Sequence, residues 1–197
     1  MKYSIVEADI AGFVAAAFDS HPQFPYHNLT HTRNVVDHAK EIAGAYSLDP
    51  NDLFIISAAA WFHDIGHLYG ESHGHERRGV TIMQNYLADL PPGTVTTIGN
   101  CIMATKFPSN PHSLLEQIIC DADTYHLGTE AFRTTDPLVD KEMEMRTGKK
   151  DCDWHAATLH FMLQHVFFTD YCQKLLNEGK QQNILWLQSI TKAANPG

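Results

Sequence analysis

The chain has 197 residues, of which 44% are hydrophobic and 19% charged, a composition typical of one globular domain with a sizeable core. Its formal net charge of -9 at pH 7 argues against a broad DNA- or RNA-binding surface, which needs clustered Lys and Arg. The sequence has no apolar run of about eighteen residues, so we expect no transmembrane helix and no membrane partner.

The first residues and the cysteines predict the cellular compartment. Glu7 and Asp9 stand where a signal peptide would need an apolar stretch. The cysteines form no C-x-x-C pair and are expected to be thiols of a reduced, cytoplasmic protein. They are Cys101, Cys120, Cys152 and Cys172.

Apolar residues recur at helical spacing along nearly the whole chain, and no sustained alternation of period two appears. We therefore predict an all-α fold and, because no repeat or linker is visible, a single domain over residues 1–197. The segment 68–74 is expected to be a loop, and the polar stretch 129–150 receives no firm assignment. Helices are expected at about 5–18, 29–46, 50–67, 75–90, 94–106, 111–122, 153–167 and 184–190.

The third expected helix ends in a His-Asp pair, His63 and Asp64, after an almost wholly apolar run over residues 53–62. Such a run is typical of a buried helix, where an ionised Asp is costly without a partner or a bound cation. His31 lies upstream, and Asp121 and Asp123 lie downstream. Two imidazoles and two carboxylates suit a divalent metal such as Mn, Mg, Fe, Ni or Zn. Asp121 and Asp123 point about 200° apart on a helix, so one ion can hardly take both, and helical geometry does not decide between them.

Three further histidines are candidates for chemistry beside the metal. His27 lies one helical turn before His31, and His67 lies one turn after His63. His75 opens the fourth expected helix, whose N-terminus would attract anions. The alternatives are a packing or capping role for His27 and a solvent-exposed loop position for the other two.

Four blocks, YHNLTHTRNVV, HDIGH, HERRG and DADTYHL, occur in an order that resembles the HD-domain metal-dependent phosphohydrolases. The resemblance spans about residues 26–171 and extends distantly to the cyclic-nucleotide phosphodiesterases. It implies an HD-domain helical bundle and selects the second Asp of the Asp-Ala-Asp segment as a ligand. The implied metal ligands are His31, His63, Asp64 and Asp123.

The resemblance also implies roles for the remaining histidines. His27 matches a histidine that protonates the leaving oxygen in the phosphodiesterases, and His67 and His75 match residues on the phosphate side of the site in relatives. Asp64 counts among the catalytic residues as well as the ligands.

The implied reaction is hydrolysis of a small phosphoester by a metal-activated water, with a nucleotide as the expected substrate. Whether a monoester or a diester is cut, and whether one or two ions bind, stays open. So does the oligomeric state, for which a homodimer is one option.

Two other functions compete with this interpretation. An iron-dependent oxygenase on the same scaffold is disfavoured because residues 98–106, where di-iron members typically supply a further histidine, contain none. A non-catalytic regulatory module with a vestigial metal site is disfavoured because a degenerate site would usually have lost a ligand.

Overall fold

The structure is a computed structural model that describes residues 3–151 and 153–194. These residues form nine α-helices, two 3-10 helices and no strand, which confirms the predicted all-α fold. The 3-10 helices are Ile65–Tyr69 and Tyr125–Gly128. The α-helices are α1 Tyr3–Asp19, α2 Leu29–Ala43, α3 Pro50–Phe62, α4 His75–Tyr86, α5 Pro92–Ala104, α6 Leu114–Asp123, α7 Phe132–Thr147, α8 Trp154–Gln164 and α9 Asp170–Ala194.

The chain divides into two compact units, the first ending at Asp123 and the second beginning at Thr124. In the first unit α3 is the central helix and contacts α1, α2, α5 and α6. Every residue of α3 from Phe54 to Phe62 is buried, as the apolar run predicts. The predicted single domain over residues 1–197 stays a prediction.

Side-chain caps determine where α2 and α3 begin. The Asn28 side chain accepts hydrogen bonds from the backbone N–H groups of Thr30 and His31, at 2.9 and 3.1 Å. Asp49 does the same at the start of α3, and Pro50 occupies the first helical position, where no N–H partner is needed. These caps set the helical phase of α2, and with it the direction of the His31 side chain.

The end of α3 differs from the prediction, because the helix stops at Phe62 and a 3-10 helix follows from Ile65 to Tyr69. Gly66 explains the change. A Cβ atom at Gly66 would lie 2.0 Å from the carbonyl oxygen of His75 and 2.9 Å from the backbone nitrogen of Gly79. The 3-10 backbone therefore lies directly against the first turns of α4. A regular continuation of α3 would not need this close contact. Two other helices, α2 and α4, end three and four residues earlier than predicted.

In the second unit α7 occupies the stretch that received no assignment. Pro137 lies inside this helix and removes one backbone hydrogen-bond donor, which obscures the helix in the sequence. Phe132 and Glu142 are buried, and Glu142 accepts a hydrogen bond from Arg146 Nε at 2.8 Å. α7 ends at Thr147, and the residue that caps it, Gly148, has a φ of 68°.

α8 ends earlier than predicted, and α9 is much longer. After Gln164 the backbone turns extended at His165, whose Nε2 lies 2.9 Å from Thr124 Oγ1. The sequence predicts this last helix only near 184–190, and residues 177–183, which α9 also includes, are polar. Two of those polar residues are in fact buried: Asn183 Nδ2 donates to the carbonyls of Leu127 and Thr129, and Lys180 Nζ donates to that of His165.

Two further expectations concern the membrane and the cysteines. Across the described ranges, no helix is both long and apolar enough to cross a membrane. Cys101, Cys120 and Cys172 are buried thiols, and burial raises the pKa of Cys101 to about 12. Cys152 lies outside the described residues.

Candidate metal centre

Three helices and one 3-10 helix of the first unit bring four side chains to one place. His31 comes from the first turn of α2, His63 caps the C-terminus of α3, and Asp64 precedes the 3-10 helix. Asp123 is the last residue of α6. Each of the four offers one nitrogen or oxygen atom, and these four atoms lie within 4.8 Å of one another.

The distances show a closely packed donor set. His31 Nε2 and His63 Nε2 are 3.4 Å apart, and each lies 3.2 Å from Asp64 Oδ2. Asp123 Oδ1 lies 3.2 Å from His31 Nε2 and 3.5 Å from His63 Nε2. Two imidazole nitrogens and two carboxylate oxygens therefore face a common point.

The backbone of α3 orients the His63 ring. His63 Nδ1 lies 2.7 Å from the carbonyl oxygen of Ala60, and because a carbonyl only accepts, Nδ1 carries the proton of this hydrogen bond. In the neutral ring the lone pair is then on Nε2, the atom that faces His31 and the two aspartates. This is the usual way in which a ligating histidine is fixed by its second nitrogen. Ala60 carries no sequence signal of this role, since any residue supplies a carbonyl.

Asp64 supplies the second observation that fits a cation. Its side chain is only 5% exposed. Within the described part of the chain, Asp64 Oδ2 has no hydrogen bond of acceptable geometry, although both Nε2 atoms are near. A buried carboxylate oxygen of this kind is costly unless positive charge balances it. The donor set thus matches a divalent cation in both ligand type and charge.

The pKa values of the cluster follow from its charges. Burial lowers the pKa of His63, but the carboxylates of Asp64 and Asp123 outweigh this and hold the pKa well above the usual range. Burial raises the pKa of Asp64, and the imidazoles of His63, His27 and His31 more than reverse the shift. The pKa of Asp123 is lowered for the same reason, by His31 and His63 against burial. The carboxylates are therefore ionised at neutral pH, as metal binding requires.

Asp121 lies outside this cluster. It is completely buried, whereas Asp123 keeps a quarter of its side chain exposed at the site. Among the described residues, the ligand group that contains both His31 and His63 includes Asp123 and not Asp121. Helical geometry alone left the two alternatives open, and the structure places Asp123 beside the histidines.

The other three sequence-derived candidates form a stack of rings beside Asp64. The His67 ring lies between the other two, 4.1 Å from the His27 ring and 3.8 Å from the His75 ring, with interplanar angles of 24° and 22°. The second oxygen of Asp64, Oδ1, lies 3.7 Å from His67 Nε2 and 3.5 Å from His75 Nε2. One carboxylate thus faces the metal-ligand atoms with one oxygen and the histidine stack with the other.

The backbone also fixes His75. His75 Nδ1 lies 2.9 Å from the carbonyl oxygen of Ser72, so its Nε2 is turned towards Asp64. His75 keeps 19% of its side chain exposed, while His67 is buried at 1%. Of these two rings, His75 is therefore the more accessible to a bound molecule. The contribution of Ser72 was not foreseen, because a loop carbonyl leaves no mark in the sequence.

Comparisons with known proteins bear on the family and the fold. A family model for the HD domain matches residues 28–128, slightly more than half of the chain. A search of curated proteins found no significant match.

Two solved structures are similar over almost the whole chain. One is the Lin1889 protein from Listeria innocua, with a TM-score of 0.65, 16% identity, and coverage of 98% of this chain and 97% of that one. The other is a predicted HD superfamily hydrolase from an uncultured Thermotogales bacterium, with a TM-score of 0.62, 20% identity, and coverage of 95% and 92%. At these identities the two structures support the fold.

Proposed function

The chain belongs to the HD domain family, and from that membership and the four-residue cluster we propose that it is a metal-dependent phosphohydrolase acting on a small phosphoester. The observation that carries the proposal is the convergence of His31, His63, Asp64 and Asp123 within 4.8 Å. The structural neighbour described as a predicted HD superfamily hydrolase supports the hydrolytic class. Within that class we propose a nucleotide as the substrate. The cytoplasmic location and the homodimer stay predictions.

The four side chains would hold a divalent cation, which when bound supplies a Lewis acid for a phosphoryl oxygen and acidifies a water molecule. His63 presents Nε2 because Ala60 holds Nδ1. Asp64 and Asp123 supply the negative charge that balances the cation. Apolar burial of α3 keeps this arrangement rigid, since the residues that precede His63 are all in the core.

The histidine stack is suited to the proton transfers of such a reaction. A protonated His75 could donate from Nε2 to a leaving oxygen, because Ser72 holds its other nitrogen. His75 also opens α4, and the positive end of a helix dipole favours a phosphate group. We propose that His75 and His27 act as the acid or phosphate-binding groups, with buried His67 between them.

The first experiment is metal analysis of the purified protein, followed by a phosphate-release screen over nucleotides with Mn²⁺ or Mg²⁺ under nitrogen. We expect phosphate release, or cleavage of a phosphodiester, without oxygen. Activity that strictly requires iron and consumes dioxygen would instead support the oxygenase alternative.

Substitutions separate metal ligands from groups that act on the substrate. Asp64→Ala should abolish both metal content and activity, because it removes a ligand. His27→Ala and His75→Ala should keep the metal while turnover falls by roughly 10²–10⁴, the usual contribution of a positioned acid or base. His112→Ala, an exposed histidine of the same unit, is the control. If His27→Ala and His75→Ala both keep full turnover, the assignment of the proton donor is wrong even where the metal site stands.

A further inference from the structure

A cavity of about 290 Å³ lies entirely within the second unit. Its volume is just below the usual range for ligand-binding pockets, roughly 300–1,000 Å³, so only a small molecule would fit. None of its lining residues belongs to the metal cluster. Most of the wall is apolar or aromatic, formed by Leu127, Phe132, Val139, Trp154, Ala157 and Phe161.

Three polar side chains, His126, Asp136 and Thr158, interrupt this apolar wall, and Asp136 is the carboxylate among them. Asp136 is only 4% exposed, and its Oδ1 accepts hydrogen bonds from Trp154 Nε1 and Thr158 Oγ1, both at 3.0 Å. Its other oxygen, Oδ2, is buried and has no hydrogen-bond partner among the described residues. His155 Nδ1 is 4.0 Å from Oδ2, which is too far for a hydrogen bond.

A half-satisfied buried carboxylate is unfavourable for the free protein. Burial raises the pKa of Asp136, because the charged form loses its hydration without gaining a full set of partners. The two hydrogen bonds to Oδ1 offset part of this cost, but Oδ2 has no such partner among the described residues. A positive group bound in the cavity would balance the charge of this carboxylate.

The charges around Asp136 agree with a cationic ligand. The carboxylate of Asp140 lies near enough to raise the pKa of Asp136, so it adds negative potential. His155, with about half of its side chain exposed, adds positive potential only when it is protonated. When the imidazoles of His126 and His155 are neutral, the balance at the cavity is negative.

We propose that this cavity binds a small organic cation with an apolar or aromatic body, whose protonated nitrogen pairs with the Asp136 carboxylate. The body of the ligand would replace water against Phe132, Trp154 and Phe161, and the aromatic rings of the wall can also interact favourably with a cation. This site does not depend on the proposed hydrolysis, because it shares no residue with the metal cluster.

The test uses the full-length protein and three organic cations: benzamidinium, benzylammonium and cyclohexylammonium. Each is paired with a neutral analogue, namely benzamide, benzyl alcohol and cyclohexanol. Titration calorimetry at pH 8 should show that at least one cation binds more tightly than its neutral partner. Asp136→Asn keeps an acceptor for Trp154 and Thr158 but removes the charge, and it should weaken cation binding by roughly 10- to 100-fold, the value of a hydrogen bond to a charged group.

Two further variants make the result decisive. Glu178→Gln removes an exposed carboxylate of the same unit and should leave cation binding unchanged. Ala157→Phe places a ring into the cavity from an exposed wall position, and it should abolish binding while the helical CD spectrum is retained. If Asp136→Asn fails to fold, Ala157→Phe alone tests whether the cavity is the binding site. The proposal is overturned if none of the cations binds more tightly than about 1 mM, if neutral analogues bind equally well, or if Asp136→Asn or Ala157→Phe binds like wild type.

Discussion

The Asp64 side chain lies between the two histidines of the candidate metal centre and the histidine stack. Its Oδ2 faces the Nε2 atoms of His31 and His63, while its Oδ1 faces His67 and His75. A charge or position change at Asp64 would therefore affect both the cation and the histidine stack. His27→Ala and His75→Ala, by contrast, alter only the stack, and this difference is what makes metal content a useful second measurement.

Asp136 leads to a prediction about pH. Because burial raises its pKa, the folded state binds the proton of Asp136 more tightly than the unfolded state does. As pH rises from 3.8, the ordinary carboxyl pKa, through the raised pKa of Asp136, ionisation of this side chain therefore lowers the free energy of unfolding. The stability of Asp136→Asn relative to wild type should increase across this window, as measured by urea unfolding from pH 4 to 7 without added ligand. Glu178→Gln is the control, and parallel pH profiles for wild type and Asp136→Asn would contradict the prediction.

At the scale of elements, close backbone contacts decide where helices end and how they pack. Gly66 lets the 3-10 helix after α3 touch α4, and Gly179 lets α9 touch the second 3-10 helix. A Cβ atom on Gly179 would lie 2.0 Å from the carbonyl oxygen of Gly128. That oxygen belongs to the backbone, so it cannot move aside as a side chain could.

This contact predicts opposite effects for two glycine substitutions inside helices. Gly179→Ala should destabilise the protein by about 1–3 kcal/mol or more, the usual cost of overpacking. Gly12→Ala, in α1, should stabilise it by about 0.5–1 kcal/mol, because its Cβ would meet nothing within 4 Å and Ala favours the helix. Chemical denaturation midpoints of the two variants measure the difference. A stabilised Gly179→Ala variant would show that the contact is not as close as the structure indicates, and a destabilised Gly12→Ala variant would contradict the prediction for α1.

At the scale of the whole molecule, the single-domain prediction and the proposed metal make a joint thermal prediction. If the 197 residues unfold as one cooperative domain, calorimetry should give one transition with an enthalpy of roughly 140 kcal/mol near 60 °C. A divalent cation at about 100 times its Kd should add about 2.7 kcal/mol of stability, which raises the Tm by roughly 5–11 °C.

The controls for this prediction are a chelator and Asp64→Ala. Chelation should reverse the increase in Tm, and Asp64→Ala should show no increase at any metal concentration that saturates wild type. Two separate transitions would contradict the single-domain prediction. An unchanged Tm in wild type with Mn²⁺, Mg²⁺, Fe²⁺, Ni²⁺ and Zn²⁺ would contradict the metal site.

The sequence by itself determined the helical class, most of the helices and the burial of α3. These properties follow from local periodicity and from short-range caps such as Asn28 and Asp49, whose partners lie two or three residues away. The sequence also indicated the His and Asp residues of the candidate metal centre, because their ligand chemistry is a property of the residue type. Without the family resemblance, the sequence did not indicate which of Asp121 and Asp123 would lie beside the histidines.

Only the tertiary structure decided the features that depend on residues far apart in the chain. The end of α3 depends on Gly66 meeting His75, and the length of α9 depends on buried polar groups such as Asn183, whose acceptors lie more than fifty residues away. The cavity at Asp136 is formed by three segments of the second unit and has no sequence pattern of its own. Periodicity reports which face of a helix is apolar, but it cannot report which distant backbone or side chain will cover that face, and that pairing determines these sites.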